Sequence, residues 1–253
     1  MKKEIKQSKI SWKRILIFFI IATSISNVFR FDIFEFRPEL EKLPNWIFIL
    51  TTFLLSGSGV IIGALIIIPF LKKQRKTEIS LFGTSKSKSL IMAVIPIIIV
   101  TIFGVKNDFE IDAHLYGLIA ITGTLLYCIM EEYGWRGYLQ EELKSFKAWQ
   151  KYLAIGFIWY LWHLTFLTNA TVGDNLFFLA MIIFGSWGIG QVVESTKSII
   201  AGACFHLIIQ IMMFNSFIKN GIDGTEKLLI LGVSVVLLYV VVKKWEKEQT
   251  LLN

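Results

Sequence analysis

The sequence predicts an all-α fold, a polytopic membrane bundle of about eight transmembrane helices. Of its 253 residues, 55% are hydrophobic and only 18% are charged, and the mean hydropathy is +0.62. A soluble domain has roughly 45–50% apolar and about 25% charged residues. A spanning helix needs about 20 apolar residues, so eight spans use about 160 and leave little room for a separate soluble domain.

Eight apolar stretches follow one another, and with tilting each can be a span. They cover residues 15–29, 46–71, 90–105, 115–130, 152–167, 176–193, 198–214 and 228–242. The first follows two basic residues, as in a signal peptide, but nothing after it resembles a secreted domain, so we interpret it as a retained span. We expect a membrane domain of residues 15–242 between a basic N-terminal tail, 1–14, and a C-terminal tail, 243–253.

Basic residues are concentrated on one side of this arrangement. Twenty of the 26 Lys and Arg residues lie in the two tails and in or beside the connections that follow the second, fourth and sixth stretches. Because cytoplasmic loops carry the excess of Lys and Arg, we expect both termini in the cytoplasm. The net charge of +7 therefore indicates topology and not nucleic-acid binding. The compact, Ile- and Lys-rich chain favours a bacterial plasma-membrane protein.

Ionisable and amide side chains occur at three places in or beside the apolar stretches, where such groups are costly and often functional. They are Glu131, Glu132, Arg136, His163, His206 and Gln210. Residues four apart share a helix face, which pairs Glu132 with Arg136 and His206 with Gln210. We expect the first pair to be a structural ion pair and Glu131, about 100° away, to face the bundle interior.

A carboxylate with two histidines and an amide can hydrolyse a peptide bond. Glu131 would act as the general base toward a water that His163 also holds. His206 and Gln210 would donate hydrogen bonds to the oxyanion of the tetrahedral intermediate. The alternative is that these side chains only bridge helices by hydrogen bonds.

Zinc chemistry stays open at this stage. Glu131, His163 and His206 are residue types that bind zinc, although the chain has no His-Glu-x-x-His motif. Cys128 and Cys204 form neither a Cys-x-x-Cys motif nor a disulfide framework, so we expect them to be buried apolar residues.

At these positions the chain resembles the CPBP family of intramembrane proteases, also called the Abi or CAAX-protease-like family. Residues 131–136, Glu-Glu-Tyr-Gly-Trp-Arg, match its Glu-Glu-x-x-x-Arg motif. The Phe-x-x-x-His motif matches at His163, with Trp159 in place of Phe. The His-x-x-x-Asn or Asp motif matches at His206, with Gln210 in the last position.

The resemblance covers about residues 115–215 and implies an eight-span protease. It implies that Glu131 is the catalytic glutamate, that His163 binds the water, and that His206 and Gln210 form the oxyanion side. The family includes type II CAAX endopeptidases, which remove the last three residues of prenylated proteins. Bacterial members are linked to peptide processing and bacteriocin self-immunity, and the family was long labelled metalloprotease.

We therefore predict an intramembrane endopeptidase that hydrolyses a peptide or CAAX-like substrate near the cytoplasmic face, with its entrance there. Its partners are a peptide or membrane-protein substrate and the lipid bilayer, with no nucleic acid. Bacteriocin or pheromone processing and self-immunity are candidate roles. The alternative is a non-catalytic scaffold or immunity protein that binds a partner through the same cavity, which Gln210 in the third motif motivates.

Overall fold

The computed structural model describes residues 9–168, 170–211 and 215–252, and this part of the chain is helical without strands. The all-α prediction is confirmed. The helices are α1 (Trp12–Arg30), α2 (Arg37–Leu40), α3 (Asn45–Lys72), α4 (Lys86–Phe103), α5 (Ala113–Gly134), α6 (Ala148–His163), α7 (Val172–Thr196), α8 (Ile199–Ile209), α9 (Ser216–Lys219) and α10 (Gly224–Leu252). A π-helical segment, Trp135–Gln140, continues α5.

Eight of these helices correspond to the eight apolar stretches. Six are long and apolar enough to cross a membrane: α1, α3, α4, α5 with the π-helical segment, α7 and α10. The other two are shorter, with 16 residues in α6 and 11 in α8. Parts of three predicted segments lie outside the described residues: 1–8 of the N-terminal tail, 212–214 of the seventh span and residue 253 of the C-terminal tail.

Polar side chains at the helix starts explain where several helices begin. Each accepts a hydrogen bond from a backbone N–H of the first turn, as expected of an N-cap. These side chains are Ser11, Ser85, Asp112, Thr171 and Ser198.

Two helix ends differ from the sequence-based boundaries. Glu131 does not end the fourth span, because the helical backbone continues through the π-helical segment, whose six residues are all buried. The last helix does not end at residue 242 but continues to Leu252. Trp245 in this extension is 1% exposed, and its indole donates a hydrogen bond to Thr84.

The alternating helices define two faces of the bundle. The terminal face carries the start of α1, the end of α10 and the connections 73–85, 141–147 and 197–198. The distal face carries the connections 31–44, 104–112, 164–171 (except residue 169) and 215–223. Two apolar cores lie on either side of α5: one with α4, α8 and α10, the other with α1, α6 and α7.

Hydrogen bonds and a β-bridge hold the connection 73–85 at the terminal face. The Glu141 carboxylate accepts hydrogen bonds from the backbone N–H groups of Glu78 and Ile79. Ser80 forms a single parallel β-bridge with Ser198. Gly83 has a φ of +60°, and a Cβ there would lie 2.2 Å from the Thr196 carbonyl oxygen, so glycine is required. We call residues 78–84 the terminal strap.

Candidate active site

Close helix packing buries the Glu-Glu motif. Gly134 lets α5 approach its neighbours, since a Cβ there would lie 2.3 Å from Cγ1 of Val60 on α3. Glu131 and Glu132 are both fully buried. Because successive helical residues point about 100° apart, the two carboxylates contact different partners.

The Glu131 carboxylate is held at one oxygen by two tryptophans. Its Oε2 accepts hydrogen bonds from the indole N–H of Trp135 at 3.1 Å and of Trp159 at 3.0 Å. Its Oε1 is buried and has no hydrogen-bond partner among the described residues. One oxygen is thus fixed by two donors, and the other has no donor among the described residues.

The Glu132 carboxylate lies between a guanidinium and an imidazole. Its Oε2 is 3.3 Å from Nε of Arg136, which places the predicted pair in contact, and its Oε1 is 2.9 Å from Nδ1 of His206. Arg136 is fully buried, and its guanidinium lies 5.1 Å from the centroid of the Trp159 ring. The contact between Glu132 and His206 was not predicted, because it depends on how α5 packs against α8.

His206 and Gln210 share one face of the α8 helix end, as their spacing predicts. The Gln210 amide nitrogen lies 3.2 Å from Nε2 of His206. A proton on Nδ1, beside the Glu132 carboxylate, leaves Nε2 to accept a hydrogen bond from Gln210. In that tautomer His206 does not donate through Nε2, so a second proton is needed before it can donate to an oxyanion.

His163 is the last residue of α6. The predicted stretch 152–167 placed it inside a helix, but the chain turns at Leu164, whose φ is +53°. Nδ1 of His163 lies 2.8 Å from the carbonyl oxygen of Trp159. That contact assigns the proton to Nδ1 and leaves the Nε2 lone pair free to bind a water.

Trp159 contacts Glu131, Arg136, His163 and His206, and the sequence reasoning missed this role. Its indole donates to Glu131, and its ring centroid lies 5.0 Å from that of His206 and 6.0 Å from that of His163. Arg136 lies over the same ring. The signal was present in the sequence as Trp in place of Phe in the second motif.

A small cavity lies among these side chains. Its volume is about 20 Å³, and it is lined by Trp159, His163, Met181, Ile182, Gly185, His206, Ile209 and Gln210. A cavity of roughly 10–15 Å³ holds one water when polar groups can bind it. The two histidines and the amide supply such groups.

A larger cavity of about 550 Å³ shares His163 and Gln210 with the small one. Its other lining residues lie toward the distal face; they are Arg30, Phe31, Thr52, Phe53, Ser56, Thr124, Tyr127, Thr165, Thr168, Asn215 and Phe217. The predicted entrance at the face that carries the termini is therefore wrong. The cavity lies toward the opposite face.

Glu131, His163 and His206 do not come together as a metal-binding group among the described residues. The described residues contain no group of three His, Cys, Asp or Glu side chains that could hold a metal. Cys128 and Cys204 are both free and buried, as predicted.

The helices that carry the site lie in a segment that matches a known protein family. Residues 113–212 match the family of type II CAAX prenyl endopeptidases, Rce1-like. The match begins at the start of α5 and includes Glu131, Trp159, His163 and His206. The resemblance to the CAAX-protease-like family is confirmed over this segment. Neither the curated proteins nor the solved structures include a match to the chain.

The membrane-spanning helices indicate a multi-pass membrane protein, and its segment 113–212 is similar to type II CAAX prenyl endopeptidases. Such a protease acts on a peptide or protein substrate in a bilayer. The described residues of the Rce1-like segment contain all six predicted site residues.

Proposed function

We propose that the protein is an intramembrane endopeptidase in which Glu131 activates the water that hydrolyses a peptide bond. One observation carries the proposal: a fully buried carboxylate with one free oxygen is joined through Trp159 to His163 and His206. The cavity of about 20 Å³ beside the two histidines has room for one water.

In the proposed reaction, Glu131 removes a proton from a water that also binds Nε2 of His163. The resulting hydroxide attacks the substrate carbonyl carbon and forms a tetrahedral intermediate. Glu131 then gives the proton to the leaving nitrogen, the C–N bond breaks, and an acid and an amine are released.

Gln210 and His206 stabilise the oxyanion in this proposal. The Gln210 amide turns from His206 toward the oxyanion, and His206 donates to the oxyanion when its Nε2 carries a proton. The contact between Glu132 and Arg136 keeps two opposite charges together in the low-dielectric interior.

We infer the orientation from the charge distribution. With the basic terminal face in the cytoplasm of a bacterial cell, the distal cavity opens outside the plasma membrane. The substrate is then a peptide or membrane-protein segment presented at the outer face. Processing of a secreted bacteriocin or pheromone precursor, or destruction of an incoming bacteriocin in self-immunity, fits this geometry, as does a CAAX-like substrate reached from that side.

The test compares the wild type with Glu131→Gln in proteoliposomes. A mixed-sequence peptide library, with and without farnesyl groups, is incubated in water enriched in oxygen-18, and new carboxyl ends are identified by mass spectrometry. We expect the wild type to produce labelled ends and Glu131→Gln to produce none, while Glu110→Gln on the distal face matches the wild type. Cleavage by Glu131→Gln, or no cleavage by the wild type, would overturn the proposal.

A second candidate is a non-catalytic scaffold or immunity protein. The contact between Gln210 and His206 favours it, because both proposed oxyanion donors are then engaged with each other. This candidate predicts that cells expressing Glu131→Gln keep the phenotype of cells expressing the wild type, whereas the protease predicts its loss.

A further inference from the structure

The guanidinium of Arg30 is fixed at the wall of the distal cavity. Its Nη1 donates hydrogen bonds to the carbonyl oxygens of Trp162 and His163 and to the side chain of Asn27. The guanidinium carbon also lies 4.3 Å from the centroid of the Trp162 ring. These contacts hold the group in one orientation, so little side-chain entropy is lost when it binds a ligand.

The remaining Arg30 donors are unused, and Arg30 lines the cavity. Nε and Nη2 have no hydrogen-bond partner among the described residues, and Arg30 is solvent-exposed although its Nη1 is engaged. Arg30 lines both the cavity of about 550 Å³ and an adjoining one of about 300 Å³. Two free donors on a planar guanidinium match a carboxylate in a bidentate pair.

Arg30 is the only Lys, Arg, Asp or Glu among the described residues that line the larger cavity. Several hydroxyl groups there are already engaged as donors: Thr52 and Ser56 donate to their own helix, and Thr168 donates to the carbonyl oxygen of Thr165. Among the described lining residues, a negatively charged group in this cavity can therefore pair with one cationic side chain, that of Arg30.

We propose that Arg30 is the anion-binding residue of the distal cavity and that the substrate peptide binds it through a carboxylate. This inference rests on the proposed function. Because Arg30 contacts the backbone of His163, the carboxylate lies on the part of the substrate that is near the scissile bond. The carboxylate comes either from a chain end or from an Asp or Glu side chain.

The experiment measures peptide binding to Glu131→Gln protein in phosphatidylcholine nanodiscs, so that hydrolysis does not interfere. Three dansyl-labelled probes are compared: Ala-Val-Leu-Ala-Val-Leu with a free carboxyl end, its C-terminal amide, and the amide with Glu as its fifth residue. A second set carries Arg30→Gln, Arg30→Lys or Lys42→Gln in addition. Lys42 is the control because it is an exposed cation of the distal face that pairs with Glu39 and lines neither cavity.

We expect Arg30→Gln to weaken binding of at least one carboxylate probe about tenfold or more, the effect of a charge-assisted hydrogen bond, and to leave the amide unchanged. Arg30→Lys should keep part of the preference, and Lys42→Gln all of it. The probe that loses affinity identifies the source of the carboxylate. Equal loss of affinity for all three probes would show that Arg30 only supports the end of α6, and this would overturn the inference. Unchanged affinity in Arg30→Gln, or no binding of any probe, would overturn it as well.

Failure of this inference and failure of the proposed function give different results. If the charge preference depends on Arg30 but no peptide is cleaved by the wild type, the anion site stands and the protease proposal fails. If peptides are cleaved but the preference is absent, only the anion site fails.

Discussion

Trp159 is the residue whose environment explains most of the site. A Phe at this position would pack its ring against Arg136 and His206 but could not hydrogen bond to Glu131. The indole adds a second donor to Oε2, beside that of Trp135, and so fixes the carboxylate from two sides. Positioning of a catalytic group matters strongly, since a displacement of about 1 Å can cost about 10²-fold in rate.

Trp159→Phe is therefore expected to lower turnover about tenfold while the protein stays folded, because it removes one hydrogen bond to a charged group. Turnover per folded enzyme is measured together with the melting temperature. The control is Trp245→Phe, which removes a buried indole hydrogen bond at the terminal face. Equal turnover in the two variants would contradict the role given to Trp159.

Glu132→Gln should destabilise the protein strongly. It leaves the fully buried Arg136 without a compensating charge, and breaking a buried pair in this way costs about 3–5 kcal/mol. Adding Arg136→Met should recover at least half of the loss, because the unpaired charge is then gone. Denaturant titration in detergent measures the free energy of unfolding of the single and the double variant. A double variant no more stable than Glu132→Gln would contradict the pairing of Glu132 with Arg136.

At the scale of the helices, the π-helical segment and the close contacts around it bury the motif. Glycines allow these contacts at both ends of the cluster: Gly134 faces Val60, and a Cβ at Gly202 would lie 2.4 Å from Cγ2 of Val193. π-Helical turns occur often at functional sites, where they shift the register of the side chains that follow.

Gly134→Ala should destabilise the bundle by about 1–3 kcal/mol, the usual cost of overpacking a core. The matched control is Gly188→Ala, where a Cβ meets nothing within 4 Å and the helix gains about 0.5–1 kcal/mol. Melting temperatures in detergent should move in opposite directions. A Gly134→Ala protein as stable as the wild type would show that α5 and α3 can separate at little cost.

The terminal strap should respond to acid through Glu78. Hydrogen bonds from Lys144 and Lys197 lower the pKa of this carboxyl below 4.5. Stability from the charged form is therefore complete above about pH 5 and is lost as the pH falls through the lowered pKa. The difference in melting temperature between wild type and Glu78→Gln should be present at pH 7 and vanish below that pKa. A difference that persists there would contradict the assignment.

In the whole molecule, the cavity lies toward the distal face and the basic residues are concentrated at the terminal face. The basic face carries the termini and the strap, whereas the cavity that reaches His163 opens at the other face. A cytoplasmic terminal face therefore implies that substrate arrives from outside the cell.

This topology is tested with single cysteines at exposed positions on the two faces. Because Cys128 and Cys204 are buried, a membrane-impermeant thiol reagent added to intact cells should leave the wild type unlabelled. We expect Thr168→Cys to be labelled from outside and Lys147→Cys to be labelled only after lysis. The reverse pattern would place the cavity mouth in the cytoplasm.

The sequence predicted the parts that depend on local spacing. Apolar stretches located six long helices and two shorter ones, and i,i+4 spacing correctly paired Glu132 with Arg136 and His206 with Gln210. The contact of Glu132 with His206 and the hydrogen bond from Trp159 to Glu131 join residues that packing alone brings together. The side on which the cavity opens was missed for the same reason, since it depends on how the ends of α1, α6 and α8 separate.

The most direct test of the account is the turnover of Glu131→Gln relative to the wild type on one peptide that the wild type cleaves, with both proteins shown to have the same melting temperature. The amide cannot take a proton from water, so we predict a loss of about 10²–10⁴-fold, the contribution of a general base. Turnover within threefold of the wild type would contradict the claim that Glu131 activates the water.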